Sequence, residues 1–169
     1  MNRFIARLSE IAFALLACGP LTVIAQPVTS STPELTAARF AISTLEDVPR
    51  VGFNRQVYNA FMSGTSEQVD WPDTMLRQIA SIARVSVASN DSLNPCAGRD
   101  RCAFRGVGAI VSLARPVVTG ARAVVQVGIE RETAPSQRKG QYLRQYRYIL
   151  ERSSEGWRVT SSVLEWNLR

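Results

Sequence analysis

The chain carries no histidine, so the chemistry open to it runs through 3 cysteines, 14 carboxylates and 4 tyrosines. That absence removes Ser-His-Asp triads, Cys-His dyads, histidine-bearing zinc sites and the commonest general base at neutral pH. Cys96 and Cys102 lie in the turn-rich stretch Asn94-Pro95-Cys96-Ala97-Gly98-Arg99-Asp100-Arg101-Cys102. Catalytic dithiols usually sit as Cys-x-x-Cys at a helix start, where the dipole lowers a thiol pKa. Five intervening residues in a Pro/Gly loop fit a structural clip instead. Zinc would need two further soft ligands, which the mature chain lacks, so neither a metal nor a cofactor is expected.

Carboxylates are the remaining acid–base candidates. Asp70 and Asp73 flank Trp71-Pro72, and Glu130 and Glu132 share one face of a predicted strand. Both pairs have plainer explanations. Asp73 suits a helix start, where the N-terminal dipole favours it. Glu130 and Glu132 alternate with apolar neighbours and read as a solvated outer face. No catalytic residue is assigned.

The N-terminus carries an address. Arg3 and Arg7 form a basic head, an apolar stretch runs from Ile11 through Ile24, and Val23-Ile24-Ala25 fits a signal-peptidase site before Gln26-Pro27. Gly19-Pro20 breaks the stretch, which falls short of the roughly 20 apolar residues a bilayer span needs. Residues 1–25 therefore read as a cleaved signal, residues 26–32 as a flexible leader, and residues 33–169 as a single domain in the periplasm or outside the cell. Cleavage removes Cys18 and leaves Cys96 and Cys102 as a pair, most simply a disulfide in an oxidising compartment. So small a loop is worth about 2–2.5 kcal/mol. The competing reading takes Leu15-Leu16-Ala17-Cys18-Gly19 as a lipobox, with Cys18 acylated and the protein tethered to a membrane.

Net charge is +6, and +5 once Arg3, Arg7 and Glu10 leave. Of the 20 basic residues only Lys139 is lysine, a skew that genome composition alone can produce. Two basic groups stand out, namely Arg99, Arg101 and Arg105, and then Arg138, Lys139, Arg144 and Arg147 interleaved with Tyr142, Tyr146 and Tyr148. Such a mixture suits stacking on nucleic acid. Strand alternation, however, places Arg147 opposite the tyrosines, and an exported protein meets little nucleic acid. Nucleic acid is not expected as a partner.

The elements that must position these groups change character along the chain. Thr32-Pro33-Glu34 is a helix start, with Leu35, Ala38, Ile42 and Leu45 at helical spacing and Pro49 as the stop. A second helix is expected from Asn54, as N-cap, to Ser63, ahead of Gly64. A third opens at Trp71-Pro72-Asp73, and Val85-Ser86-Val87 either extends it or becomes a strand. From Phe104 onward the period shifts toward 2, giving strands at Val107–Leu113, Arg122–Glu132, Tyr142–Arg152 and Trp157–Trp166. Trp157, Val159, Ser161 and Val163 form the expected inner face of the last. The expected class is α+β, two or three N-terminal helices followed by a four-stranded antiparallel meander.

Tyr146-x-Tyr148-x-Leu150-x-Arg152 followed by Gly156-Trp157-Arg158-Val159 resembles the cone-shaped nuclear-transport-factor-like superfamily, and the segment Val111-Ser112-Leu113-Ala114-Arg115-Pro116-Val117 through Val127 resembles exported bacterial proteins of unknown role. The resemblance covers about the last 60 residues of the chain and implies a curved, cone-like sheet around a pocket. Polar groups in such a pocket would include Tyr58, Tyr146, Tyr148 and Ser161. That scaffold serves enzymes and binding modules alike. The expected function is an exported, non-catalytic binding or assembly module for an unknown protein or small ligand. The alternatives are a small hydrolase- or isomerase-like enzyme using carboxylate and tyrosine, and a basic surface for anionic envelope polymers. Membrane contact is expected only through a lipid on Cys18.

Overall fold

A computed structural model describes residues 31–57, 69–94, 104–132 and 141–168. The expected signal, the leader up to residue 30, and Tyr58, Cys96 and Cys102 lie outside the described residues, as do Arg99, Arg101, Arg138 and Lys139.

Helix α1 (Pro33–Ser43) begins as the sequence dictates. Thr32 Oγ1 accepts from Leu35 N at 3.4 Å, Pro33 follows the cap, and Glu34 lies in the first turn. Leu35, Ala38, Ile42 and Leu45 are all buried. The helix ends on side-chain donors. Ser43 Oγ donates to the Phe40 carbonyl at 2.7 Å and Thr44 Oγ1 to that of Ala41 at 2.7 Å. The Arg84 guanidinium reaches across to the carbonyls of Ile42, Leu45 and Val48.

The expected fold class is overturned. One seven-stranded mixed sheet dominates the molecule, in place of a four-stranded antiparallel meander behind a helical layer. Strand β1 (Val51–Asn54) follows α1, and β2 (Val85–Ala88) follows α2 (Asp73–Ala80). Next come α3 (Asn90–Leu93), β3 (Ala109–Leu113), β4 (Val117–Thr119), β5 (Arg122–Glu132), β6 (Gln141–Ser153) and β7 (Gly156–Leu168). The order across the sheet is β2-β1-β3-β5-β6-β7, with β4 paired to β5 outside that path. β1 runs parallel to both β2 and β3, while every pairing from β3 to β7 is antiparallel.

The reason lies in β1. All four of its residues are buried, so it shows no alternation, as expected of a strand covered on both faces. Asn54, expected to cap a helix, is instead the last residue of this strand. Its side chain donates to Ser112 Oγ at 3.4 Å and accepts from Gln56 N at 3.1 Å. Val85-Ser86-Val87 resolves as strand, reached through Arg84 at φ 67°. That left-handed residue turns the chain into β2.

The sheet has two unlike faces. On the helix face, α1 and α2 cover Val51, Phe53, Val111, Leu113, Val125, Val127, Tyr148 and Leu150. On the far face, Leu93 of α3 and Phe104 and Val107, just before β3, pack with Ile110. No helix among the described residues is long and apolar enough to cross a membrane.

Candidate functional site

The register settles where each anticipated side chain lies. Tyr146 and Tyr148 alternate with Arg147 on β6 and turn toward the helix face beside Val127 and Val125. Their rings are 6.1 Å apart, and Tyr148 also meets Phe40 edge-on at 5.1 Å. Tyr148 is 1% exposed, and burial, reinforced by Tyr146, pushes its hydroxyl well above the ordinary tyrosine range. This is a core aromatic pair. Ser161 pairs with Ile149 and lies exposed on the far face. The structure therefore brings Tyr146 and Tyr148 together and keeps Ser161 away from both.

Ser161 sits there because β7 is bulged. Leu150 pairs with Val159 but Ile149 with Ser161, leaving Thr160 as an extra residue. Trp157 and Val159 pack on the core as alternation predicts. Past the bulge the parity inverts, so Ser161 and Val163 leave the expected inner face, and Ser162 and Leu164 take their register positions. A second irregularity, between Tyr146↔Leu164 and Gln145↔Trp166, restores the parity and leaves Trp166 on the far face, 45% exposed.

Of the carboxylates, Asp70 pairs with Arg55 at the surface, and Asp73 occupies the first turn of α2. Asp47 pairs with Arg131, whose hydrogen bond holds the carboxyl below its usual range. Glu130 departs from expectation: it is no solvated outer residue. It lies on the far face between Ile110 and Leu143, and its Oε2 accepts from Asn94 Nδ2 at 3.2 Å. Burial raises its pKa, and the Asn94 hydrogen bond opposes that rise only in part. Glu130 and the tyrosine pair occupy opposite faces, so these groups do not meet.

Beside Glu130 a polar strip crosses the far face. Register places Ser112, Gly128, Gln145 and Trp166 in one row through β3, β5, β6 and β7, and Asn54 joins it from β1. Asn54, Ser112 and Gln145 are each less than 5% exposed. Gln145 Nε2 donates to Glu165 Oε2 at 3.4 Å, and Arg147 Nε approaches Glu165 Oε1 at 3.3 Å. Ser112 meets an amide donor where a nucleophile would need a base, so its hydroxyl is not activated. The strip offers hydrogen bonding rather than covalent chemistry. Among the described residues, no group of three potential ligands could hold a metal ion. Sequence reasoning missed Asn54, Asn94, Ser112 and Gln145, and only Gln145, a polar residue inside an aromatic strand, gave any signal.

The strip ends at the edge of the sheet. Among the described residues nothing pairs with the outer side of β7, and its second half exposes Val163, Leu164 and Trp166 at 39%, 48% and 45%. Leu164 belongs by register to the helix face, Val163 and Trp166 to the far face. A strand edge with unpaired backbone groups and apolar side chains above and below it can template another strand. Comparison with protein-family models, with curated proteins and with solved structures finds no match.

Proposed function

We propose that this protein is an exported, non-catalytic binding or assembly module that takes a protein partner along β7. The exposure of Val163, Leu164 and Trp166 on a thirteen-residue edge strand carries the reading. Strand addition would satisfy the free backbone groups, and alternate side chains of the partner would pack beside these three. A photo-crosslinking residue at position 162 tests it in exporting cells, with position 86 on the opposite edge strand as control. A discrete adduct at 162, lost when Val163 and Trp166 are changed to Asp, is the expected outcome. Equal labelling at both positions would remove the reading.

Glu130 favours a second reading, a small hydrolase- or isomerase-like enzyme. A half-buried carboxyl whose pKa desolvation raises is suited to general acid chemistry. Tyr146 and Tyr148 cannot assist it from the other face. Turnover of any ester or isomerisable substrate that Glu130→Gln abolishes while β7 variants leave it intact would establish this reading over the first.

A further inference from the structure

We infer that the end of the sheet bearing the β4–β5 hairpin docks on an anionic lipid bilayer. Val117 and Val118 are the most exposed large apolar residues of the described chain, at 68% and 51%. They stand on a three-residue strand paired only to β5, and register places them on opposite sides of that ribbon, against Val124 and Ala123. Gly120, at φ 59°, turns the hairpin, and nothing lies within 4 Å of a methyl group added there. An exposed strand that is apolar on both sides adds little to the core of this fold. It suits insertion among acyl chains.

The charges around the tip define the surface it would meet. Arg115, Arg122, Arg152 and Arg158 are all exposed at this end, where Arg152 N donates to the Ala121 carbonyl at 2.8 Å. Among the described residues none of the four is in an ion pair. The carboxylates at this end, Glu151, Glu155 and Glu34 in the first turn of α1, still leave the four arginines in excess. Anionic headgroups attract arginines so placed, within about a Debye length of the surface. The start of the fold lies at the same end. Ser31 sits beside the β6–β7 turn, so close that a methyl group on Gly156 would stand 2.9 Å from its Oγ. The described chain therefore begins at the hairpin end, beside these arginines.

Flotation of the processed, exported protein with vesicles tests the inference. Phosphatidylcholine vesicles are compared with vesicles that also contain phosphatidylglycerol. Salt-sensitive binding to the anionic vesicles alone is expected. The variant V117S/V118S should lose it about tenfold, and R115Q/R152Q about thirtyfold. Matching circular dichroism and melting temperatures for the variants show that they fold. Equal flotation on neutral vesicles, or full binding by V117S/V118S, overturns the proposal. So does valine-dependent self-association without lipid, or binding to a soluble anionic polymer in place of vesicles. Crosslinking at position 162 is independent of this surface, so the two readings fail separately.

Discussion

Arg84 and Glu130 show how much a single side chain can do in this molecule. Arg84 holds a left-handed backbone and spends its guanidinium on carbonyls at the end of α1. The Ile42 and Leu45 carbonyls also accept backbone N–H groups in the turn after the helix, and Arg84 adds a second donor to each; donors from a charged group are stronger than neutral ones. Arg84→Ala is expected to lower stability by about 2–3 kcal/mol, measured by urea denaturation. Arg84→Gly loses the same contacts but should recover about 1 kcal/mol, because glycine accepts the positive φ. Equal midpoints for the two variants would count against backbone strain at this position. Glu130 makes a prediction in pH. Its raised pKa means that the folded chain holds this proton more tightly than the unfolded chain does. The stabilising effect is therefore full below the unfolded carboxyl range and is lost as pH rises toward the folded pKa. Glu130→Gln cannot lose the proton, so the wild-type melting temperature should fall relative to the variant between acid and neutral pH. A constant difference across that range would mean that the carboxyl is not desolvated.

Among the elements, β7 makes the sharpest demands. Trp157 is half-buried against the core and Trp166 is exposed on the other face. Trp157→Ala should cost about 2–3 kcal/mol, less than a fully buried aromatic, and Trp166→Ala under about 0.5 kcal/mol. Iodide should quench Trp166 more readily than Trp157 in single-tryptophan variants. Deleting Thr160 should leave every flanking side chain on its face and the protein folded, with an unchanged circular dichroism spectrum. Only part of this is legible in the sequence. The start of α1 and the span of β5 are legible, because caps and long alternation are local signals. β1 is not, since four residues buried on both faces carry no period, and Asn54 satisfies itself through Ser112, 58 positions away. The bulge at Thr160 is equally silent, and it alone misplaces Ser161 and Val163. Glu130 looked solvated because nothing local announces that Asn94 will stand beside it.

For the molecule as a whole, β5 is the keystone. It pairs with β3 and β6 and carries β4 as well, and its inward side chains lie under α1. Amide hydrogen exchange should be slowest at Val125, Val127 and Ile129 and faster in β2 at the far edge. A protection pattern centred on β1 and β2 would point to a different core. The arrangement has a further consequence in time. α1 is made first, yet it packs against β5, β6 and β7, and β1 must wait for β3. Such distant pairings close slowly, and none can close before both partners exist. A chain still being synthesised therefore has little to settle against until its last hairpin leaves the ribosome. That delay keeps the polypeptide threadable, the form that the proposed export would require.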